Sequence, residues 1–373
     1  MSPGNGHRTR PSGPISLRAW AWLVLATTAG LCAAIAALNA VVDPTAQLGS
    51  GLFEPVAAGP RDRVAKVELL EDAGNPSLVV LGSSRSKKLD PAWLGARDGV
   101  NGAVVGGDSF ELRVFAAWLA ERSAARDEPM PQLVVGIDVE QFRDSSLQGS
   151  GFLDVPQLAT VAREQAAGSD GSLGDEVDRV GRLLLTWQVT KASAASLRAR
   201  ARGGTTSGDD AKAEAEAQDR ASFTDSGVPR GDAAWFDADQ AATFARRTPG
   251  LVERNLRELA ATYESNGARL DPDAVADLRA LVDLVADAEG PAPLLYVTPA
   301  HPRLVDELAD AGRDERRQAV VDLLEELADP GDARFVDCTT CVDGAVTSWI
   351  DATHPSPVGA RQLAERLRGE LER

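Results

Sequence analysis

Leu78-Val79-Val80-Leu81-Gly82-Ser83-Ser84-Arg85 is the stretch whose reading decides the fold. A run of four apolar residues that stops at a glycine reads as a strand buried on both faces. Gly82 then opens a sharp strand-to-helix turn that presents Ser83, Ser84 and Arg85 at the strand's carboxyl end. Outward along the chain, similar runs recur. Val100 to Val105 is a weaker strand closed by Gly106-Gly107, and Leu133 to Ile137 ends at Asp138. Leu294 to Val297 and Phe335 to Val336 supply two more. Between them lie amphipathic stretches. Ser109 is placed to cap a helix whose one face carries Phe110, Val114, Phe115, Trp118 and Leu119. Helical periodicity returns from Leu251 to Ala286. Strands alternating with such helices predict an α/β domain, a parallel sheet flanked by helices on both faces.

The last helix is the clearest. Ser356 can cap it, Pro357 suits its first position, and Val358, Leu363, Leu367 and Leu371 continue its apolar spacing. Just before it stands Asp351-Ala352-Thr353-His354. The chain has only three histidines, His7, His301 and His354. A carboxylate three residues before a histidine can fold back and hold the ring in one tautomer, and the other ring nitrogen can then take a proton from a serine. That arrangement suits attack on an ester carbonyl. Three scattered histidines offer no ligand-spaced metal cluster.

At 373 residues there is room for one large or two small domains. A formal charge of -17 repels phosphate backbones and argues against nucleic-acid binding. The N-terminus differs from the rest. Arg8, Arg10 and Arg18 precede an uncharged run from Ala19 to Val42, and no acidic residue comes before Asp43. The run is long enough for a bilayer, Trp20 and Trp22 fit an interfacial belt, and the arginines favour a cytoplasmic N-terminus. A cleaved signal peptide is the rival, because Ala34-Ile35-Ala36 resembles a cleavage site. The apolar run continues past it, which favours an uncleaved anchor with the main domain outside the cytoplasm. Cys32 follows the bulky Leu31 and reads as an ordinary helix residue, not a lipidation site.

Cys338 and Cys341 form a C-x-x-C pair. Zinc would need two further ligands, and the residues that follow do not read as the helix a redox motif opens. A local disulfide bracing the loop before Asp351 is the favoured reading, with two free thiols as the alternative. The expected organisation is a basic tail over 1–18, an anchor over 19–42, a Pro/Gly-rich linker over 43–63 and one domain over 64–373. That domain carries an insertion over 143–248. Val180 to Val189 reads as helical, and low-complexity composition over 192–232 reads as flexible. The insertion could be a lid, a docking arm or a passive excursion.

Taken together, the motifs resemble the SGNH (GDSL-like) hydrolase superfamily. Gly82-Ser83-Ser84 is similar to its first block, with Ser83 in place of the usual Asp. Asn101 through Gly107 is similar to the second, and Asp351-x-x-His354 before a terminal helix to the last. The likeness covers roughly residues 70 to 142 and 290 to 373, and is nearest to anchored extracytoplasmic members with a Gly-Ser-Ser-Arg turn. It implies a flavodoxin-like three-layer sandwich with Ser84 as nucleophile, His354 as base and Asp351 orienting it. Gly107 and the Ser84 N–H would form the oxyanion hole. It also implies a cell-envelope polysaccharide or peptidoglycan substrate, a membrane acyltransferase as partner and no cofactor.

One departure counts against activity. The third block normally supplies an Asn amide to the oxyanion, whereas here the turn is Gly136-Ile137-Asp138. Losing one such donor costs about 3 kcal/mol, a hundredfold or more in rate. Three further residues stay open between roles. Arg85 could neutralise an anionic substrate group or pair with a nearby acid. Asp138 could serve the site or simply pair at its strand end. His301 could touch substrate or be a surface histidine at a helix start. Ser83 and Ser109, the latter in Gly107-Asp108-Ser109, are lesser candidates for nucleophile.

The reading is therefore a membrane-anchored, extracytoplasmic serine esterase or O-acyltransferase acting on acyl esters, acetyl foremost, of cell-envelope glycans. A neutral imidazole is required, so activity should rise with pH through roughly 6 to 7. The alternatives are a binding or assembly protein that keeps the fold without the chemistry, and an anchor protein acting through its insertion.

Overall fold

The computed structural model describes residues 17–42, 62–142, 155–167, 184–185, 190, 193–194, 196–198, 220–266, 269–329 and 331–373. By its contacts the chain divides into two compact units, Met1–Ala58 with Ser172–Gly208, and Gly59–Gly171 with Asp209–Arg373.

In the first unit, helix α1 spans Leu17–Val42. Its stretch Arg18–Val42 is long and apolar enough to cross a membrane, at about 37 Å for 1.5 Å per residue. Cys32 lies exposed on it as a free thiol. Residues 1–16 of the expected 1–18 tail and 43–61 of the expected 43–63 linker fall outside the described residues, as does most of the helix expected over Val180 to Val189, while Asp62 and Arg63 of that linker already open a helix.

The second unit is built on five strands, β1 Leu78–Leu81, β2 Val100–Asn101, β3 Gln132–Ile137, β4 Leu294–Val297 and β5 Arg334–Asp337. All four pairings are parallel, in the order β2-β1-β3-β4-β5. That order reverses between β1 and β3, and open sheets of this kind bind ligands at the carboxyl ends of the strands flanking such a switch. The helices are α2 Asp62–Asp72, α3 Ser109–Arg126, α4 Pro156–Ala167, α5 Ala238–Ala245, α6 Thr248–Asn266, α7 Pro272–Asp287, α8 Pro302–Leu308, α9 Asp314–Ala328 and α10 Pro357–Leu371.

Alternation along the strands builds two cores. Val79, Leu81, Leu133, Val135, Leu295 and Val297 pack with α2, α3, α4, α7 and α9. Their neighbours Leu78, Val80, Val134, Leu294 and Tyr296 point the other way and pack with α10 through Leu363, Ala364 and Leu367. The result is an α/β architecture with helices on both faces, as the sequence predicts.

Two expectations need correction. The second strand is shorter than Val100 to Val105, because the Asn101 side chain accepts from Ala103 N at 2.9 Å and turns the chain out of the sheet. Ser109 does not cap α3; Asp108 does, accepting from Glu111 N at 2.9 Å. Residues 220–232 fold back onto the β2 edge, with Asn101 N donating to Ser226 O at 2.8 Å. The buried Lys66 ammonium donates to Asn101 O at 2.6 Å and to Gly227 O, and lies over the Phe223 ring. Gly227 has φ +77°, and a side chain there would run into the Asn101 backbone.

Candidate active site

The turn after β1 is forced into shape by its glycine. Gly82 has φ +152°, and a Cβ there would collide with the Ser86 side chain. Ser86 in turn hydrogen-bonds the buried Tyr296 hydroxyl at 2.8 Å, and burial pushes that phenol's pKa up. Ser86 N donates to Ser83 O at 3.0 Å, closing a tight turn around Ser84 and Arg85. From β2, the Asn101 amide donates to Ser86 O and Leu89 O, both at 2.8 Å. The turn is thus fixed from both sides while the Ser84 side chain stays half-buried.

The two serines of the turn face different partners. Ser83 Oγ donates to Asp138 Oδ2 at 2.6 Å and accepts from Arg85 N at 3.2 Å. Ser84 Oγ lies 2.8 Å from His354 Nε2. Of the two, Ser84 alone meets an imidazole.

His354 is delivered by a loop pinned at both ends. Trp349 and Pro355 form an antiparallel bridge, Ile350 N donates to His354 O at 2.9 Å, and Ser356 N donates to Ser348 O at 2.9 Å. Trp349 is wholly buried, its indole N–H donating to Asp343 O at 2.6 Å. Ser356 caps α10 by accepting from Val358 N and Gly359 N. Between these anchors Asp351 folds back as an Asx turn, accepting from Thr353 N at 2.8 Å and His354 N at 2.9 Å. Its two oxygens lie 3.0 and 2.9 Å from His354 Nδ1. A carboxylate there places the ring hydrogen on Nδ1 and leaves Nε2 as the acceptor facing Ser84. Burial alone would raise the Asp351 pKa. The His354 hydrogen bond and charge, with the two amide N–H groups, outweigh burial and hold it at about 2.

The end of β3 carries a second network. Asp138 accepts from Ser83 and, at 2.8 Å, from Thr298 Oγ1. Arg85 sits 3.6 Å from Asp138 and 2.6 Å from Glu140. Glu140 also lies 3.8 Å from Arg313, a guanidinium only 1% exposed. Gln141 accepts from Asp138 N at 3.2 Å and donates to Gly107 O at 2.7 Å, tying the β2 and β3 loops together.

Ser84, Asp351 and His354 are therefore brought together, and Arg85 and Asp138 lie beside them as an ion pair. Gly107 packs against the Gly82 carbonyl, and its N–H makes only a long 3.4 Å contact with Val104 O. The Ser84 N–H has no partner among the described residues. His301 is not a surface group. It caps α8 by accepting from Arg303 N at 3.1 Å, its ring meets Trp349 edge-on at 5.4 Å, and its backbone N–H donates to Ala352 O at 3.0 Å. Burial, then Arg303, lowers its pKa. It props the Asp351–His354 loop from behind. Ser109 is buried, its hydroxyl without a hydrogen-bond partner and without contact to His354. Cys338 and Cys341 are joined as a disulfide, with Cα atoms 4.7 Å apart.

Sequence reasoning missed Asn255 on α6, which accepts from Ala352 N at 3.3 Å, and the Gln141 and Glu140 bridges. Trp349, two residues before Asp351, was a visible signal for the loop's anchor. The others act across long sequence separations and leave no local pattern. No family model, curated protein or solved structure matches this chain.

Proposed function

We propose that this chain is a membrane-anchored serine esterase or O-acyltransferase of SGNH type, acting on acyl esters, acetyl foremost, of cell-envelope glycans. The observation that carries the reading is the unbroken line from Ser84 Oγ to His354 Nε2 at 2.8 Å and from His354 Nδ1 to Asp351 at 2.9 Å. As the Ser84 hydroxyl attacks an ester carbonyl carbon, its proton passes to His354 Nε2 and the carbonyl becomes an oxyanion. The ester's alkoxide then leaves with that proton, and the acyl group stays on Ser84. Water, or a sugar hydroxyl where water is excluded, attacks that acyl carbon and gives its proton to His354, which returns it to Ser84 Oγ as the acyl–Ser84 bond breaks. Asp351, anionic above about pH 2, stabilises the imidazolium formed in each half. The Ser84 N–H and Gly107 N–H are the donors available to the oxyanion. The glycan and the acyl group come from the family resemblance, and the extracytoplasmic position from Arg8, Arg10 and Arg18 ahead of the uncharged run.

The full chain in mild detergent, given p-nitrophenyl acetate, tests the reading. Turnover that is lost in both Ser84→Ala and His354→Ala supports it. Equal turnover in all three proteins would contradict it.

One observation favours a second reading, a binding or assembly protein with the same fold. Asp138 stands where the third block would offer an amide, and it is occupied by Ser83, Thr298 and Arg85. That reading predicts glycan binding retained in Ser84→Ala, with no ester turnover in the unmodified chain.

A further inference from the structure

The insertion carries a charge pattern that, elsewhere in the chain, only the first 42 residues share. From Arg179 to Gly208 there is no acidic residue, in a protein of formal charge -17. The same stretch holds Arg179, Arg182, Lys191, Arg198, Arg200 and Arg202, together with the apolar run Leu183-Leu184-Leu185-Thr186-Trp187. A basic and apolar stretch of this kind suits the surface of an anionic bilayer. By its contacts the stretch groups with α1, not with the sheet domain that flanks it in sequence.

The contact with α1 is specific. Asn39, three residues before the end of α1, is 1% exposed. Its amide nitrogen donates to Leu184 O at 2.8 Å and Thr190 Oγ1 at 3.1 Å, and its amide oxygen accepts from Ser193 Oγ at 2.8 Å. An amide without partners is costly in hydrocarbon, so these bonds matter most if α1 is in a bilayer. At 1.5 Å per residue, Asn39 lies about 5 Å from the helix end, close to the depth where headgroups begin. Leu184, Thr190 and Ser193 are held at that same level. Beside them, Leu185 and Leu197 face outward at 50% and 36% exposure, next to the exposed Arg198.

We propose that the stretch bearing Leu185, Leu197 and Arg198 is a second membrane contact, seated in the headgroup layer of an anionic bilayer beside the end of α1. Leu185 and Leu197 enter the acyl boundary and Arg198 meets lipid phosphates. The contact rests on α1 crossing the membrane and is independent of the chemistry at Ser84. It ties the insertion, as well as the N-terminus, to the lipid surface.

The test uses the full chain in phosphatidylcholine vesicles with and without phosphatidylglycerol. Single cysteines at Leu185→Cys, Leu197→Cys and, as a control on α9, Glu325→Cys are made in a Cys32→Ser background and labelled with a polarity-sensitive fluorophore. With phosphatidylglycerol present, spin-labelled lipid should quench the labels at 185 and 197 several-fold more than the label at 325. Aqueous iodide should do the reverse. Removing phosphatidylglycerol, or replacing Lys191, Arg198, Arg200 and Arg202 with Gln, should lower the lipid quenching several-fold. Labels at 185 and 197 that behave like the one at 325 would overturn the contact. Lipid quenching unchanged without phosphatidylglycerol would overturn the anionic surface. A chain that fails to float with vesicles would overturn the membrane premise itself.

Discussion

Replacing Asp351 with Asn separates what the carboxylate does for folding from what it does for proton transfer. Its pKa is held at about 2 against an ordinary 3.8, a gap worth roughly 2 kcal/mol of folding free energy. The folded value lies below the unfolded one. That stability is therefore fully present above about pH 4 and is lost as pH falls through about 2. An Asn has no such titration. Urea unfolding of both proteins in mild detergent should show the wild type ahead by roughly 2 kcal/mol at neutral pH, and the gap should close by about pH 2. Activity should fall further than stability. To keep the Thr353 and His354 N–H bonds, the Asn oxygen must take the place of Oδ1, which turns its NH2 toward His354 Nδ1. That favours the tautomer with hydrogen on Nε2, which cannot take the Ser84 proton. A loss of about 10⁴ in kcat/KM on p-nitrophenyl acetate is expected. A stability gap that does not change with pH, or an Asn variant within tenfold of wild-type activity, would refute this reasoning.

Three further changes probe the turn and the loop. Gly82→Ala puts a side chain at φ +152° into Ser86 and should destabilise the domain by roughly 3 kcal/mol, read as a lower Tm. Ser83→Ala removes the 2.6 Å bond to Asp138 but not the hydroxyl facing His354. It should cost about 1–2 kcal/mol of stability while leaving Ser84 reactive, whereas loss of all reactivity would make Ser83 the nucleophile. Cys338→Ser with Cys341→Ser opens a very short loop, so unfolding should ease by about 2 kcal/mol at most, measured against the unmodified chain with and without reductant.

The parts of this fold legible in the sequence were those governed by local rules. Leu78 to Gly82 declared a buried strand and a forced turn, and Ser356-Pro357 declared a helix start. Asp351 and His354 were legible together because an Asx turn needs only their spacing. Residues set by distant partners were not. The 220–232 stretch has the composition of a loose linker. Its order comes from Lys66 and Asn101, more than a hundred residues earlier, which receive Gly227 and Ser226. His301 stayed open between a substrate contact and a surface histidine because nothing local announces that Trp349 covers its ring. Glu140 and Arg313 meet across the fold from opposite sides of the insertion. Asp108 and Ser109 show the limit of local rules themselves, since both are good capping residues and backbone geometry chose the first.

The most direct test of the central claim is labelling of the full chain with a fluorophosphonate probe, with the modified peptide identified by mass. The account predicts one adduct, on Ser84, absent from Ser84→Ala and strongly slowed in His354→Ala, because the 2.8 Å contact with His354 Nε2 is what makes that hydroxyl nucleophilic. No adduct at all, or an adduct on another serine that survives in both variants, would contradict it.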